Sequence, residues 1–255
     1  MEKVAVVVGG GRSLGEYLSK HMAKEGYNVV VADIDNENAS KVAKEIGEEK
    51  AMSIKVDATK ENEVKEMVNK IVERFGRIDL LIYNAGVAKA SKITNFKLDT
   101  FKWILDVNLI GYFLCAREIS KVMIEKNIEG CIIQINSKSG KVGSKHNTGY
   151  SSAKFGGVGL TQSLALDLAE HKIRVNSMML GNLLNSEMFE SLIPQYAEKL
   201  GIKESEVKQV YRDKVPLKRG CTFEDVANVV TFYASDKASY ITGQSVNITG
   251  GQVMH

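Results

Sequence analysis

Tyr150 and Lys154 stand four residues apart in Tyr150-Ser151-Ser152-Ala153-Lys154. On a helix that spacing puts both side chains on one face, a turn apart. A free phenol ionises near pH ~10. A cation one turn away favours the phenolate and makes Tyr150 a usable general acid/base near neutral pH. Lowering the phenol by ~2–3 units corresponds to ~3–4 kcal/mol of differential stabilisation. The spacing alone is also common on ordinary solvated helix faces. Here it has company. Ser137 ends a predicted strand, and Asn108 lies in an earlier predicted helix.

A second chemistry is written at the N-terminus. Gly9-Gly10-Gly11-Arg12-Ser13-Leu14-Gly15 lies between a buried strand and a helix. Glycines let the backbone turn sharply and approach a pyrophosphate, and the helix N-terminus beyond favours negative charge. Asp33 ends the second predicted strand, 18 residues beyond Gly15 (33 − 15). A carboxylate there accepts hydrogen bonds from adenosine ribose hydroxyls and repels a 2′-phosphate. The expected cofactor is therefore NAD rather than NADP. Arg12 is a counter-signal, since a base in the loop could pair with a 2′-phosphate. Asp35 reads as a solvated loop carboxylate.

The elements that must hold these groups alternate. Strands are predicted at 4–8, 28–33, 51–56, 78–83, 130–135, 173–178 and 245–248. Helices are predicted at about 14–25, 38–46, 61–75, 105–126 and 150–170, with Gly26 and Gly47 ending the first two. Strands alternating with helices imply parallel pairing through right-handed crossovers. The expected architecture is a single α/β domain over 1–255. It is a doubly wound Rossmann fold with a seven-stranded parallel sheet and helices on both faces. The least regular stretch, about 181–216, is expected to be a mobile substrate-covering loop with short helices.

Composition excludes other classes. The 255 residues carry 34 basic and 31 acidic side chains, a formal net charge of +3. That excess is too small to indicate nucleic acid or a membrane surface as partner. Cys115, Cys131 and Cys221 form no CxxC pair and no metal-ligand pattern, so they read as free thiols in a reducing compartment. Met1-Glu2-Lys3 runs straight into the first strand, and no apolar run reaches the ~18 residues that span a bilayer. A cytoplasmic protein is expected.

Ordered motifs along the whole chain carry a resemblance. They are the loop Gly9–Gly15, Asp57, Tyr83-Asn84-Ala85-Gly86, Asn108 in Val-Asn-Leu, Ser137, Tyr150 with Lys154, Arg174-Val175-Asn176 and Ile241-Thr242-Gly243-Gln244. In this order they resemble the short-chain dehydrogenase/reductase family. The resemblance implies that Tyr150 is the catalytic acid/base and that Lys154 lowers its pKa and holds the nicotinamide ribose. It implies that Ser137, thirteen residues before Tyr150, hydrogen-bonds the reacting oxygen, with Ser139 the alternative. Asn108 positions a water in a proton relay. Asp57 with Ala58 contacts adenine, and Asn84, Ala85 and Gly86 support the cofactor edge of the sheet. Gly9, Arg12, Ser13, Leu14, Gly15, Asp33, Gly181 and Leu183 complete the cofactor site. A homotetramer is the implied assembly, built on the helices at 105–126 and 150–170, with Gly156, Gly157 and Gly159 allowing close packing. Three positions depart from the family pattern. Ser13 and Tyr83 replace a glycine and an asparagine, and Leu180-Gly181 replaces Pro-Gly.

Substrate chemistry is read from the segment after Ser137. Lys138, Lys141, Lys145 and His146 are expected to line the pocket, and Lys89 is a further candidate. Arg212, Lys214 and Arg219 are weaker ones. So many basic groups suit a phosphorylated polyol better than an apolar substrate. Residues 134–147, 179–184, 214–221 and 249–254 resemble the polyol-phosphate branch of the family. That resemblance implies oxidation of sorbitol 6-phosphate at C2 to fructose 6-phosphate. Another sugar-alcohol phosphate, a 3-ketoacyl substrate, or a non-catalytic NAD-binding regulator remain alternatives.

Overall fold

Continuous apolar runs require burial on both sides of a strand, and a parallel sheet under two helical layers provides it. The computed structural model describes residues 2–255. Val4–Val8 forms β1, with all five residues buried. Asn28–Asp33 (β2), Ala51–Lys55 (β3), Leu80–Tyr83 (β4), Cys131–Ser137 (β5), Arg174–Leu180 (β6) and Ser245–Ile248 (β7) join it in one sheet. The order is β3-β2-β1-β4-β5-β6-β7, and every neighbouring pair is parallel. Strand order reverses between β1 and β4, the place where such sheets open a crevice beyond their carboxyl ends. The doubly wound architecture expected from the sequence is present.

Helices cover both faces. Ser13–Lys24 (α1), Asn36–Ile46 (α2) and Phe223–Ala234 (α9) bury Leu18, Met22, Val42, Val226 and Val230 against one face. Glu61–Phe75 (α3), Gly111–Glu125 (α5) and Thr148–Leu168 (α6) bury Met67, Ile71, Tyr112, Ile119 and Ala165 against the other. Asp35, read as a solvated loop carboxylate, caps α2 instead. Its Oδ1 accepts from the Glu37 and Asn38 amides at 3.0 and 3.1 Å.

Three segments differ from the sequence reading. The long helix predicted at 105–126 is broken into Leu98–Leu105 (α4), one π-helical turn over Asp106–Ile110, and α5. Tyr83 donates its hydroxyl hydrogen to the Val107 carbonyl at 2.5 Å, and Asn108 Nδ2 donates to the Ile104 carbonyl at 2.8 Å. Side chains that take helix carbonyls in this way go with the wider turn, which is often found at functional sites. The stretch 181–216 carries longer helices than the short ones predicted. It holds Glu187–Leu200 (α7) and Glu204–Asp213 (α8) around a small core of Leu184, Phe189, Ala197 and Val207. Finally, α9 is not anticipated by the spacing argument. Its start is a capping box in which Thr222 Oγ1 accepts from the Asp225 amide, and Asp225 accepts from the Thr222 amide.

Candidate active site

Two glycines make the first turn possible. Gly9 has φ +75°, and a Cβ there would lie 2.7 Å from the Ala85 backbone. A Cβ on Gly15 would fall 1.8 Å from the Gly9 carbonyl oxygen. That carbonyl also accepts from Asn84 Nδ2 at 2.8 Å, which ties the loop to the end of β4. Ser13 stands where the family has glycine, and it adopts φ +52°, the left-handed region that glycine favours. Asp33 ends β2 and is buried. Its Oδ2 accepts from the Gly11 amide at 2.9 Å. Arg12 is exposed and faces Glu187 at the start of α7, 3.6 Å away.

The second cluster lies at the ends of β5 and α6. Asn136 Nδ2 donates to the Lys154 carbonyl at 3.1 Å, while its Oδ1 accepts from the Ser137 amide at 2.8 Å. One buried side chain thus fixes the strand end against the helix. Sequence reasoning did not single out Asn136; its signal is a polar residue in an otherwise apolar strand. Ser137 Oγ accepts from the Ser139 amide at 3.2 Å, so Ser139 orients the hydroxyl beside Tyr150.

Lys154 is buried. Its Nζ donates to the Ile135 carbonyl at 3.1 Å and lies 5.4 Å from the Tyr150 ring centre. Burial pushes the ammonium down to about 8. Burial also pushes the Tyr150 phenol up to about 12, against a downward pull from the Ser137 hydroxyl. The sequence reading had Lys154 lowering the phenol. In the structure the ammonium donates to the Ile135 carbonyl beside the ring, and among the chain's own groups burial sets the direction of the phenol's shift.

Asn108 sits in the π-helical turn, fully buried. Its Nδ2 donates to the Val87 and Ile104 carbonyls, and its Oδ1 has no partner among the described residues. A Cβ on Gly86 would lie 3.0 Å from that oxygen and 3.9 Å from Lys154 Nζ. Both atoms therefore reach the same small space beside Gly86.

A cavity of about 1050 Å³ joins the two clusters. That is the upper end of the ~300–1,000 Å³ typical of small-molecule sites. Of the cofactor candidates, Gly9, Arg12, Ser13, Leu14, Asp33, Asp57, Ala58, Asn84, Ala85, Gly86, Gly181 and Leu183 line it. Gly15 supports the loop from behind. Asp57 Oδ1 is occupied by the amide and hydroxyl of Thr59, at 3.0 and 2.7 Å. Ser137, Tyr150 and Lys154 line the far end, and Asn108 stands behind it. Of the basic groups expected to bind substrate, Lys138 lines the wall, and Arg212, Lys214 and Arg219 do not. Lys89, Lys141, Lys145 and His146 do not line the cavity, although Val142, Gly143, Ser144 and Asn147 of the same segment do. Tyr196 and Tyr211, which the sequence reading did not flag, do line it. Gly157 and Gly156, expected to serve contacts between subunits, pack inside this chain against Gln134 and Leu109.

Comparison with known proteins agrees with this geometry. Residues 3–197 match the family described as short chain dehydrogenase. The chain belongs to that family. It is 62% identical to sorbitol-6-phosphate 2-dehydrogenase of Escherichia coli (strain K12), over 100% of both chains. The crystal structure of sorbitol-6-phosphate 2-dehydrogenase from Erwinia amylovora superposes with a TM-score of 0.96 at 62% identity, covering 98% of this chain and 100% of that one. An NAD⁺-bound xylitol dehydrogenase superposes with a TM-score of 0.93 at 30% identity, covering 98% of each chain.

Proposed function

We propose that this chain oxidises D-sorbitol 6-phosphate at C2 to D-fructose 6-phosphate, with NAD⁺ as hydride acceptor. The observation that carries the reading is the convergence of Ser137, Tyr150 and Lys154 at one end of a cavity whose other end is a glycine loop and a buried Asp33. The 62% identity to the Escherichia coli enzyme supports the substrate.

The residues present fit a nicotinamide dinucleotide. Gly9, Ser13, Leu14 and Gly15 would pass the pyrophosphate over the α1 N-terminus. Asp33 would take the adenosine ribose hydroxyls, and its buried carboxylate supports NAD over NADP. Arg12 does not oppose this, since it faces Glu187. Asp57 and Ala58 would border the adenine. Asn84, Ala85 and Gly86 would border the ribose, and Gly181 and Leu183 the carboxamide side. The bound nicotinamide supplies the hydride acceptor and a positive charge near the phenol.

The chain's own groups do the rest. Tyr150 Oη removes the C2 hydroxyl proton as the carbonyl forms. Ser137 Oγ holds the reacting oxygen. Lys154 stabilises the phenolate. Asn108 Oδ1, an unpartnered acceptor beside Lys154, would hold a water through which the proton leaves Lys154 toward solvent. Because burial outweighs the Ser137 hydrogen bond and holds the phenol up at about 12, the step depends on the complete ternary site.

Self-association and a cytoplasmic setting accompany this reading. Phe113 and Phe155, on α5 and α6, are more than a third exposed, which supports pairing through those helices. Free thiols at Cys115, Cys131 and Cys221 suit a reducing compartment. Among the described residues no helix is long and apolar enough to cross a membrane.

Initial-rate kinetics test the reading, with NAD⁺ or NADP⁺ against sorbitol 6-phosphate, mannitol 1-phosphate and free sorbitol. The expected result is the highest kcat/KM for sorbitol 6-phosphate with NAD⁺. Comparable values for all three polyols, or turnover only with a 3-ketoacyl substrate, would overturn it.

A further inference from the structure

We infer that the phosphate of the substrate is held by Lys138, with Lys199 and Lys214 closing the subsite from α7 and the end of α8. This rests on the polyol-phosphate reading and says which residues enforce it.

Lys138 directly follows Ser137, so its side chain starts beside the reacting oxygen and runs along the cavity wall. Its Nζ donates to Gln252 Oε1 at 2.5 Å, and the same oxygen accepts from Asn182 Nδ2 at 3.3 Å. Gln252 is neutral, so this contact positions the ammonium without cancelling its charge. Tyr196 and Tyr211 also line the cavity, with ring centres 5.0 Å apart and planes tilted by 31°. Each carries an ammonium. Lys199 Nζ lies 5.9 Å from the Tyr196 ring centre, and Lys214 Nζ lies 5.1 Å from that of Tyr211.

None of these three lysines is in an ion pair among the described residues. Neighbouring bases are: Lys208 pairs with Glu190, and Arg219 with Asp225. Lys138 senses the other two, and Lys199 senses Lys214 and Lys145. Burial and the charges of Lys214 and Lys199 pull Lys138 down to about 8. Burial, Lys214 and Lys145 pull Lys199 down. Gathering cations around a half-buried lysine with no carboxylate is unfavourable until an anion arrives. A phosphomonoester carries close to two negative charges at neutral pH and three strong acceptor oxygens, which this arrangement matches. The tyrosine faces hold two of the cations in place by cation–π contact.

The experiment measures kcat/KM for sorbitol 6-phosphate and for free sorbitol in wild type, Lys138→Met, Lys199→Met and Lys214→Met. NADH binding and thermal melting serve as folding controls. Wild type is expected to prefer the phosphorylated polyol. Lys138→Met should reduce that preference at least 10-fold, mainly through KM, and Lys138→Arg should restore part of it. Lys199→Met and Lys214→Met should each reduce it several-fold. Inorganic phosphate should inhibit wild type competitively against sorbitol 6-phosphate, a measurement that needs no variant. If wild type shows no preference, the substrate reading itself fails. If wild type prefers the phosphate and folded Lys138→Met keeps the preference, this inference fails alone. Equal losses on both polyols would also overturn it, as would phosphate inhibition that is not competitive.

Discussion

Tyr150 has a single oxygen to offer, and the proposed chemistry passes through it. Tyr150→Phe should lower kcat by about 10²–10⁴-fold, the usual worth of a general acid/base. NADH affinity, followed by fluorescence titration, should stay within about threefold. Near-normal turnover would end the assignment. Lys154 makes a separate prediction on stability. Its folded value of about 8 lies below the ordinary 10.5 of a lysine. Between those values the unfolded chain binds more protons than the folded one, so unfolding free energy rises with pH across that window. Lys138 acts in the same direction. The ligand-free protein should therefore gain melting temperature from pH ~8 toward pH ~10, relative to Lys154→Met over the same range. Above that, the raised Tyr150 phenol reverses the sign. An identical pH dependence in wild type and Lys154→Met would contradict the burial argument. The four catalytic candidates were legible because common residue types recur there in a fixed order and spacing among the other motifs. The direction of the Tyr150 shift was not, because spacing along a helix shows which groups are neighbours but not how much water surrounds them. The phosphate lysines were half legible for a similar reason. Lys138 follows the catalytic serine in sequence, whereas Lys199 is connected to the cavity only through the Tyr196 ring that lines it.

At the scale of elements, the glycine loop and the π-helical turn carry the site. Gly15→Ala places a methyl 1.8 Å from the Gly9 carbonyl. It should abolish measurable NADH binding, and binding at wild-type affinity would mean that the loop is not the cofactor cradle. Ser13 invites the opposite change. Its left-handed backbone costs a non-glycine residue about 1–2 kcal/mol. Ser13→Gly should therefore raise stability by up to about 1 kcal/mol in denaturant titration, after the greater unfolded-state freedom of glycine is set against the relief. The strands were readable from their β-branched runs. Their ends were less so: β5 runs to Ser137 and β6 to Leu180, where cross-strand pairing extends past the apolar stretch. The break between α4 and α5 was invisible to periodicity, because it depends on the Tyr83 hydroxyl arriving from another element. α9 could have been found from Thr222, Asp225 and the apolar positions that follow.

For the whole molecule, the order reversal between β1 and β4 brings the glycine loop and the Tyr83–Gly86 turn side by side. The remaining surface question concerns other copies of the chain. Phe113 and Phe155 are exposed on α5 and α6. Phe155→Glu should shift the mass measured by light scattering toward a smaller species. An unchanged mass would exclude this helix face as the contact. The sequence predicted glycines for that contact. Gly156 and Gly157 pack against Leu109 and Gln134 inside the chain, while Gly159 has open space beside it.

The fit of Tyr83 to the π-helical turn also constrains position 111. A Cβ on Gly111 would stand 2.3 Å from the Tyr83 hydroxyl. Any side chain at 111 would push the Tyr83 hydroxyl off the Val107 carbonyl, so the two positions are coupled. A substitution at 111 would therefore be felt as far as the buried Asn108, through a tyrosine that belongs to another element.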